Sequence, residues 1–312
     1  MRSRSVVRSI LAAGLLVGAQ LVPCQIAHAQ QGAPQSAPAT GAPQVGRGGG
    51  RGPVDSRVQQ RTYTFADTNE QMPYALFVSS KVTKDKKNPL IVSLHGLGGD
   101  QNTMVRESLR SVELAEQGGY ILVAPMGYNS AGWYGIPPGP PRPANAPQRG
   151  GTPRPLIGGT AITDAAKVRE ASAKDVMTVL DLVRREFSVD ERRIYLMGHS
   201  MGGAGTYYLG SKSGHIWAAL APIAPAAMGM TNSRTEVLQA IKAAGVPMLV
   251  SMGDADGAVP VANVRMWVDT MKELQMNYEY KEYPGLSHGP IMAGSMADIY
   301  TFFAQHSKPP SH

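Results

Sequence analysis

From residue 57 onward, short apolar runs alternate with stretches whose apolar residues recur every three or four positions. The first period belongs to strands and the second to helices. Residues 61–65 and 74–82 open the series as a pair of strands, with Tyr74, Leu76 and Val78 alternating in the second. Residues 89–95 (PLIVSLH), 120–125, 194–198, 218–223 and 247–252 are almost wholly apolar, as strands covered on both faces of a parallel sheet are. Residues 277–283 form a last, more polar strand. Between these runs, Val176, Val179, Leu180, Val183 and Phe187 share one helical face, as do Val264, Trp267, Val268, Met271 and Leu274. Ile299, Phe302 and Phe303 anchor a C-terminal helix. The alternation predicts an α/β domain over 57–312, with a mostly parallel central sheet of about eight strands and helices on both faces.

Ahead of this domain the pattern is different. Residues 1–29 carry Arg2, Arg4 and Arg8, then a mostly apolar stretch, then Ala27, His28 and Ala29. That is the form of a secretory signal cleaved after Ala29, and it predicts export to the periplasm or beyond. The apolar stretch is short for a transmembrane helix, so no stable membrane insertion is expected after cleavage. Cys24 offers a lipoprotein alternative, which Pro23 fits poorly. Residues 30–56 are rich in Gln, Ala, Pro and Gly, with few large apolar side chains, and read as a flexible tether. One further stretch breaks the alternation: residues 136–162 contain eight prolines and five glycines. They form an insertion after the strand ending at Pro125, either a binding loop or a surface excursion.

Composition excludes several function classes. The 312 residues include one Cys, which cannot make an internal disulfide or a Cys-based metal site. The formal charge of +7 falls by three when Arg2, Arg4 and Arg8 leave with the signal. The remaining charges form no Lys/Arg run, and no nucleic-acid partner is expected. Hydrophobic residues at 43% and charged residues at 17% suffice for a large buried core.

The chemistry concentrates at three places. Gly198, His199, Ser200, Met201 and Gly202 match G-x-S-x-G, directly after an apolar strand and directly before a helix-like stretch. A strand-to-helix reversal this sharp needs glycines and holds Ser200 at the sheet edge as a nucleophile. Serine needs a neighbouring base. Of the seven histidines, only His288, just past the last strand, stands free of the signal, the two glycine motifs, the tail and the sequence neighbourhood of Ser200. The acid is expected in the turn after 247–252, where Asp254 and Asp256 stand. Asp256 lies deeper in the loop, within reach of the imidazole, and Asp254 is expected to cap the turn locally. This turn lacks the ligands of a calcium loop, and no metal is expected. The oxyanion donors are expected to be the N–H groups of Met201, after the nucleophile, and of Leu97, in the His95-Gly-Leu-Gly-Gly99 turn. That turn lacks a phosphate-cradling pattern. Trp133 and Tyr134, with 136–162, are expected to wall the substrate pocket, and His199 to touch substrate beside the nucleophile.

HGLGG, VAPMGY, the stretch DVMTVLDLVRREFSVDERRIYLMGHSMGGAGTYYLG and GDADGAVP resemble secreted bacterial α/β-hydrolases of the polyhydroxybutyrate-depolymerase and feruloyl-esterase-like group, which is related to prolyl oligopeptidases. The resemblance covers nearly all of 57–312. It implies the α/β-hydrolase fold and cofactor-free hydrolysis of a small-molecule or polymeric carboxylic ester through an acyl-enzyme. In its Gly-x-x-Asp-x-x-Val-Pro pattern, here 253–260, the acid is Asp256. A peptidase with the same triad and a non-catalytic binding protein of this fold are the alternatives.

Overall fold

In this computed structural model, residues 52–137 and 155–310 are described. The expected signal, 30–51 of the expected tether, and 138–154 of the insertion lie outside them. The strands are β1 (Gln59–Thr64), β2 (Gln71–Val78), β3 (Asn88–Leu94), β4 (Ile121–Pro125), β5 (Val189–His199), β6 (Ala219–Ile223), β7 (Met248–Gly253) and β8 (Tyr278–Tyr283). The helices are α1 (Ser111–Gly118), α2 (Ala165–Glu186), α3 (Met201–Lys212), α4 (Arg234–Ala243), α5 (Val261–Glu273) and α6 (Ile291–Gln305). The strands form one sheet in the order β1-β2-β4-β3-β5-β6-β7-β8. β1 and β2 pair antiparallel, as do β2 and β4, and the remaining pairs are parallel.

Every residue of β3, β4, β6 and β7 is buried, which is why their sequences read as unbroken apolar runs. The helices cover both faces. Tyr195 of β5 stacks on Phe303 of α6 with ring centroids 4.7 Å apart. The next residue, Leu196, points the other way and pairs with Leu220, which closes on Gly210 of α3. α2 begins at Asp164, whose side chain accepts the Lys167 N–H at 2.9 Å, and buries Val176, Val179, Leu180 and Val183. Among the described residues, no helix is long and apolar enough to cross a membrane.

At its N-terminal end the packed domain reaches further than the sequence pattern indicates. Val54 bridges Arg106, Asp55 N–H donates to the Val105 carbonyl at 3.2 Å, and the Arg106 guanidinium donates to the Gly52 carbonyl at 2.6 Å. Residues 52–56 are therefore docked on the domain, and Val54 packs against the core.

Chain order reverses at β3. From β3 the chain moves to β4 on one side and then to β5 on the other. In such sheets a crevice opens at this reversal, beyond the carboxyl ends of the strands. The turn after β3 and the turn after β5 meet there.

Candidate active site

The turn after β5 is crowded on all sides. A Cβ at Gly198 would lie 2.3 Å from the Gly202 carbonyl oxygen, and one at Gly202 would lie 2.4 Å from the Leu94 oxygen. Only glycine lets β3, β5 and α3 approach this closely. Between them Ser200 is held at φ 57°, ψ −112°, a conformation that costs on the order of 1–3 kcal/mol and persists only when its surroundings impose it. Three backbone bonds do so. Ser200 N–H donates to Ile223 O at 2.9 Å, and its carbonyl accepts from Ala204 N–H at 3.0 Å and Ala226 N–H at 2.9 Å.

His288 Nε2 lies 2.9 Å from Ser200 Oγ, and its Nδ1 lies 2.7 Å from Asp256 Oδ2. The other carboxylate oxygen of Asp256 accepts the N–H groups of Ala258 at 2.8 Å and Val259 at 2.9 Å. Burial alone would raise the Asp256 carboxyl, but the bonds from His288, Val259 and Ala258 hold it below its ordinary value. The acceptor role of Asp256 makes His288 Nδ1 the protonated nitrogen, which leaves Nε2 free to take a proton from Ser200. Asp254 differs from expectation. It does not cap its own turn but reaches across to accept the Gly285 N–H at 2.6 Å. Ala255 N–H donates to Leu286 O at 3.2 Å, so the turn that carries Asp256 is tied to the loop that carries His288.

The turn after β3 lies over Ser200: a Cβ at Gly96 would be 3.2 Å from Ser200 Cβ. Gly99 N–H closes this turn on Gly96 O at 3.0 Å, and Gly98 N–H donates to Ser130 O at 2.7 Å. The Leu97 N–H takes part in neither bond. Met201 is the first residue of α3, so its N–H has no acceptor within the helix. His95 is buried with both ring nitrogens 2.8 Å from carbonyl oxygens, of Gly96 and Met126, and burial pushes its pKa down.

Residues 75–298 match the model of the dienelactone hydrolase family. The chain belongs to the dienelactone hydrolase family. That family lies within the α/β-hydrolase superfamily to which the HGLGG and GHSMGG motifs point. A stretch of 151 residues, 48% of the chain, is 27% identical to the bifunctional acetylxylan esterase/xylanase XynS20E of Neocallimastix patriciarum. That stretch spans 18% of the relative's length. Among solved structures, the chain resembles a thermostable esterase at 20% identity and TM-score 0.59, covering 81% of this chain and 63% of that one. It also resembles the ferulic acid esterase AmCE1/Fae1A of Anaeromyces mucronatus at 19% identity and TM-score 0.59, covering 78% and 89%. At these identities the structural likeness is one of fold, the α/β-hydrolase fold.

This dienelactone hydrolase family member has a cleft of about 410 Å³ lined by Asn129, Ala131, Trp133, Leu156, Ile162 and Arg169, among others. Ser130, between two of these residues, accepts the Gly98 N–H of the turn after β3. Trp133 is half-buried and faces the Arg169 guanidinium at 5.7 Å. Tyr134 departs from expectation. Its side chain is fully buried and donates to the His95 carbonyl at 3.1 Å, so it supports the turn after β3 from within and is shielded from any ligand in the cleft. His199 departs likewise. It is buried and its Nε2 lies 2.7 Å from the His288 carbonyl oxygen.

Two acidic residues that sequence reasoning missed tie down backbone next to the cleft, at 160–161 and at 127–128. Glu70, on the β1–β2 hairpin, accepts the N–H groups of Thr160 at 2.7 Å and Ala161 at 3.0 Å and the Tyr128 hydroxyl at 2.8 Å. Burial would raise its carboxyl, but Thr160, Thr68, Tyr128 and Ala161 hold it down to about 2. Glu70→Ala is expected to free 157–162, costing about 1–3 kcal/mol for the acceptors lost. It should also change the ratio of kcat/KM between a bulky aryl ester and a small acetate ester. An unchanged ratio would detach 157–162 from substrate choice.

Asp175 is buried in α2 and accepts from the Tyr63 hydroxyl and from the N–H groups of Gly127 at 2.6 Å and Tyr128 at 3.2 Å. Gly127 and Tyr128 both have positive φ, 66° and 61°, as do Trp133 and Tyr134 further along the same loop. Burial pushes the Asp175 carboxyl from 3.8 up to about 6. Between these values the folded protein keeps a proton the unfolded chain has lost, so stability falls as pH rises through that window. The slope approaches about 1.4 kcal/mol per pH unit. Asp175→Asn can still accept both N–H groups through its carbonyl, and it should flatten the denaturation midpoint over this range. Parallel wild-type and variant curves would refute the assignment.

Proposed function

We propose that this protein is a serine carboxylic-ester hydrolase working through an acyl-enzyme. Ser200 Oγ attacks the ester carbonyl while His288 Nε2 takes its proton. The Leu97 and Met201 N–H groups receive the developing oxyanion, and Asp256 stabilises the imidazolium. His288 then protonates the departing alcohol. In the second half, water attacks the acyl group with His288 again as base, releasing the acid and restoring Ser200. The reading is carried by the unbroken line of contacts from Ser200 Oγ through His288 to Asp256, at 2.9 and 2.7 Å.

The relatives whose names mention acetylxylan and ferulic acid suggest esters of plant polysaccharides. The proposal takes the cleft at Trp133, Leu156 and Ile162 as the acyl pocket; an acetyl group would leave most of it empty, so the proposed acyl group is the larger, aromatic one. Export through 1–29 is part of the same proposal, and N-terminal analysis of the mature protein should find Gln30 first.

A panel of aryl and alkyl esters beside aryl amides tests the reading. Esters should be cleaved, with hydroxycinnamoyl esters above acetates in kcat/KM, and amides should be cleaved far more slowly. Comparable cleavage of amides would replace this reading by that of a peptidase.

A further inference from the structure

The structure places one residue where three parts of the site meet. We infer that His199 is a positioning residue for the base: its Nε2–H holds the His288 carbonyl and its ring backs the His288 ring, keeping the base loop in register with the nucleophile. This inference rests on the serine-hydrolase reading above.

A carbonyl oxygen only accepts, so the 2.7 Å contact makes His199 Nε2 the donor and fixes the Nε2–H tautomer. The two imidazole rings lie 4.5 Å apart, centroid to centroid, tilted by 46°. Other bonds to the base loop come from elsewhere. Gly285 and Leu286 bond to Asp254 and Ala255 in the acid's turn, while Ser287 and Gly289 accept from Ile291 and Met292 at the start of α6. Among the described residues, the His199 bond is the one that links the loop's backbone to the nucleophile turn. Position 199 also touches the oxyanion turn, since a Cβ at Gly96 would lie 3.1 Å from His199 Nδ1.

Charge fits the same role. Burial, and then the neighbouring His288, push the His199 pKa down to about 3. The ring therefore stays neutral when His288 takes the serine proton, and does not oppose that proton. A lysine or arginine there would oppose it.

The inference is tested by His199→Met, which fills similar space without a donor, and His199→Gln, whose amide N–H reaches about as far. Misplacement of a reacting group by about 1 Å can cost 100-fold in rate. The Met variant should lose about 10- to 100-fold in kcat on an aryl ester with KM within about twofold, and the Gln variant should recover most of the loss. Wild-type turnover in the Met variant, or equal losses in both, would overturn the inference. Ser200→Ala run in parallel separates the two levels. If it stays active the serine mechanism fails, whereas an inactive Ser200→Ala beside a fully active Met variant sinks only the role of His199. A measurement on the wild type does not depend on variants folding: nitrogen NMR of the histidines should find His199 as the neutral Nε2–H tautomer at neutral pH. The Nδ1–H tautomer, or a charged ring, would also overturn it.

Discussion

Asp256→Asn is expected to lower kcat by a factor on the order of 10⁴, while Asp254→Asn, two residues away, costs less than about tenfold. The difference follows from the hydrogen bonds. The Asp256 side chain is wholly shielded from solvent, with Oδ1 taking two backbone N–H groups and Oδ2 facing His288 Nδ1. An asparagine keeps its carbonyl on Ala258 and Val259 and turns its NH₂ toward His288. Nδ1 must then accept, the proton moves to Nε2, and the nitrogen facing Ser200 can no longer take the serine's proton. Asp254 holds only the Gly285 N–H, and the carbonyl of an asparagine can replace it. Both variants are to be measured on one aryl ester. A crippled Asp254→Asn beside an active Asp256→Asn would reverse the assignment.

Ser200→Ala is expected to remain folded and to lose turnover by about 10⁵–10⁶-fold. Its stability should change little, because the bonds that impose the strained turn are made by backbone atoms of Ser200, not by Oγ. The residual rate would come from the oxyanion donors and binding alone. Denaturation midpoint and kcat measured on the same preparation check both halves. Loss of folding together with activity would leave the strain account wrong even if the serine is the nucleophile.

Much of this was legible in the sequence, because the signals are local. Buried parallel strands must be apolar throughout, so 89–95 and 120–125 announced β3 and β4 within a residue or so. β5 was less legible. It starts at Val189 rather than at 194, because its first residues, among them Glu191 and Arg192, are exposed and charged. The spacing of G-x-S-x-G and its strand-to-helix setting located Ser200, and elimination among the histidines led to His288. Contacts between residues far apart in sequence were not legible. Nothing near Glu70 signals that it bonds residues 160 and 161, and Asp254 bonds a loop about thirty residues away. Tyr134 and His199 sit beside chemistry in sequence and were expected to touch substrate. Burial gives them supporting roles instead, and burial of a single side chain is a tertiary property. One missed residue did leave a trace. Ala171, Asp175, Val179 and Val183 are spaced four apart, so Asp175 stands on the buried ridge of α2, where a charge needs partners.

The measurement that tests the central claim most directly is covalent trapping with a fluorophosphonate ester, followed by digestion and mass spectrometry. The account predicts one adduct per chain, on Ser200, appearing as ester hydrolysis disappears, and no adduct in Ser200→Ala. Inactivation with the adduct on another residue, or hydrolysis that survives full labelling of Ser200, would contradict it.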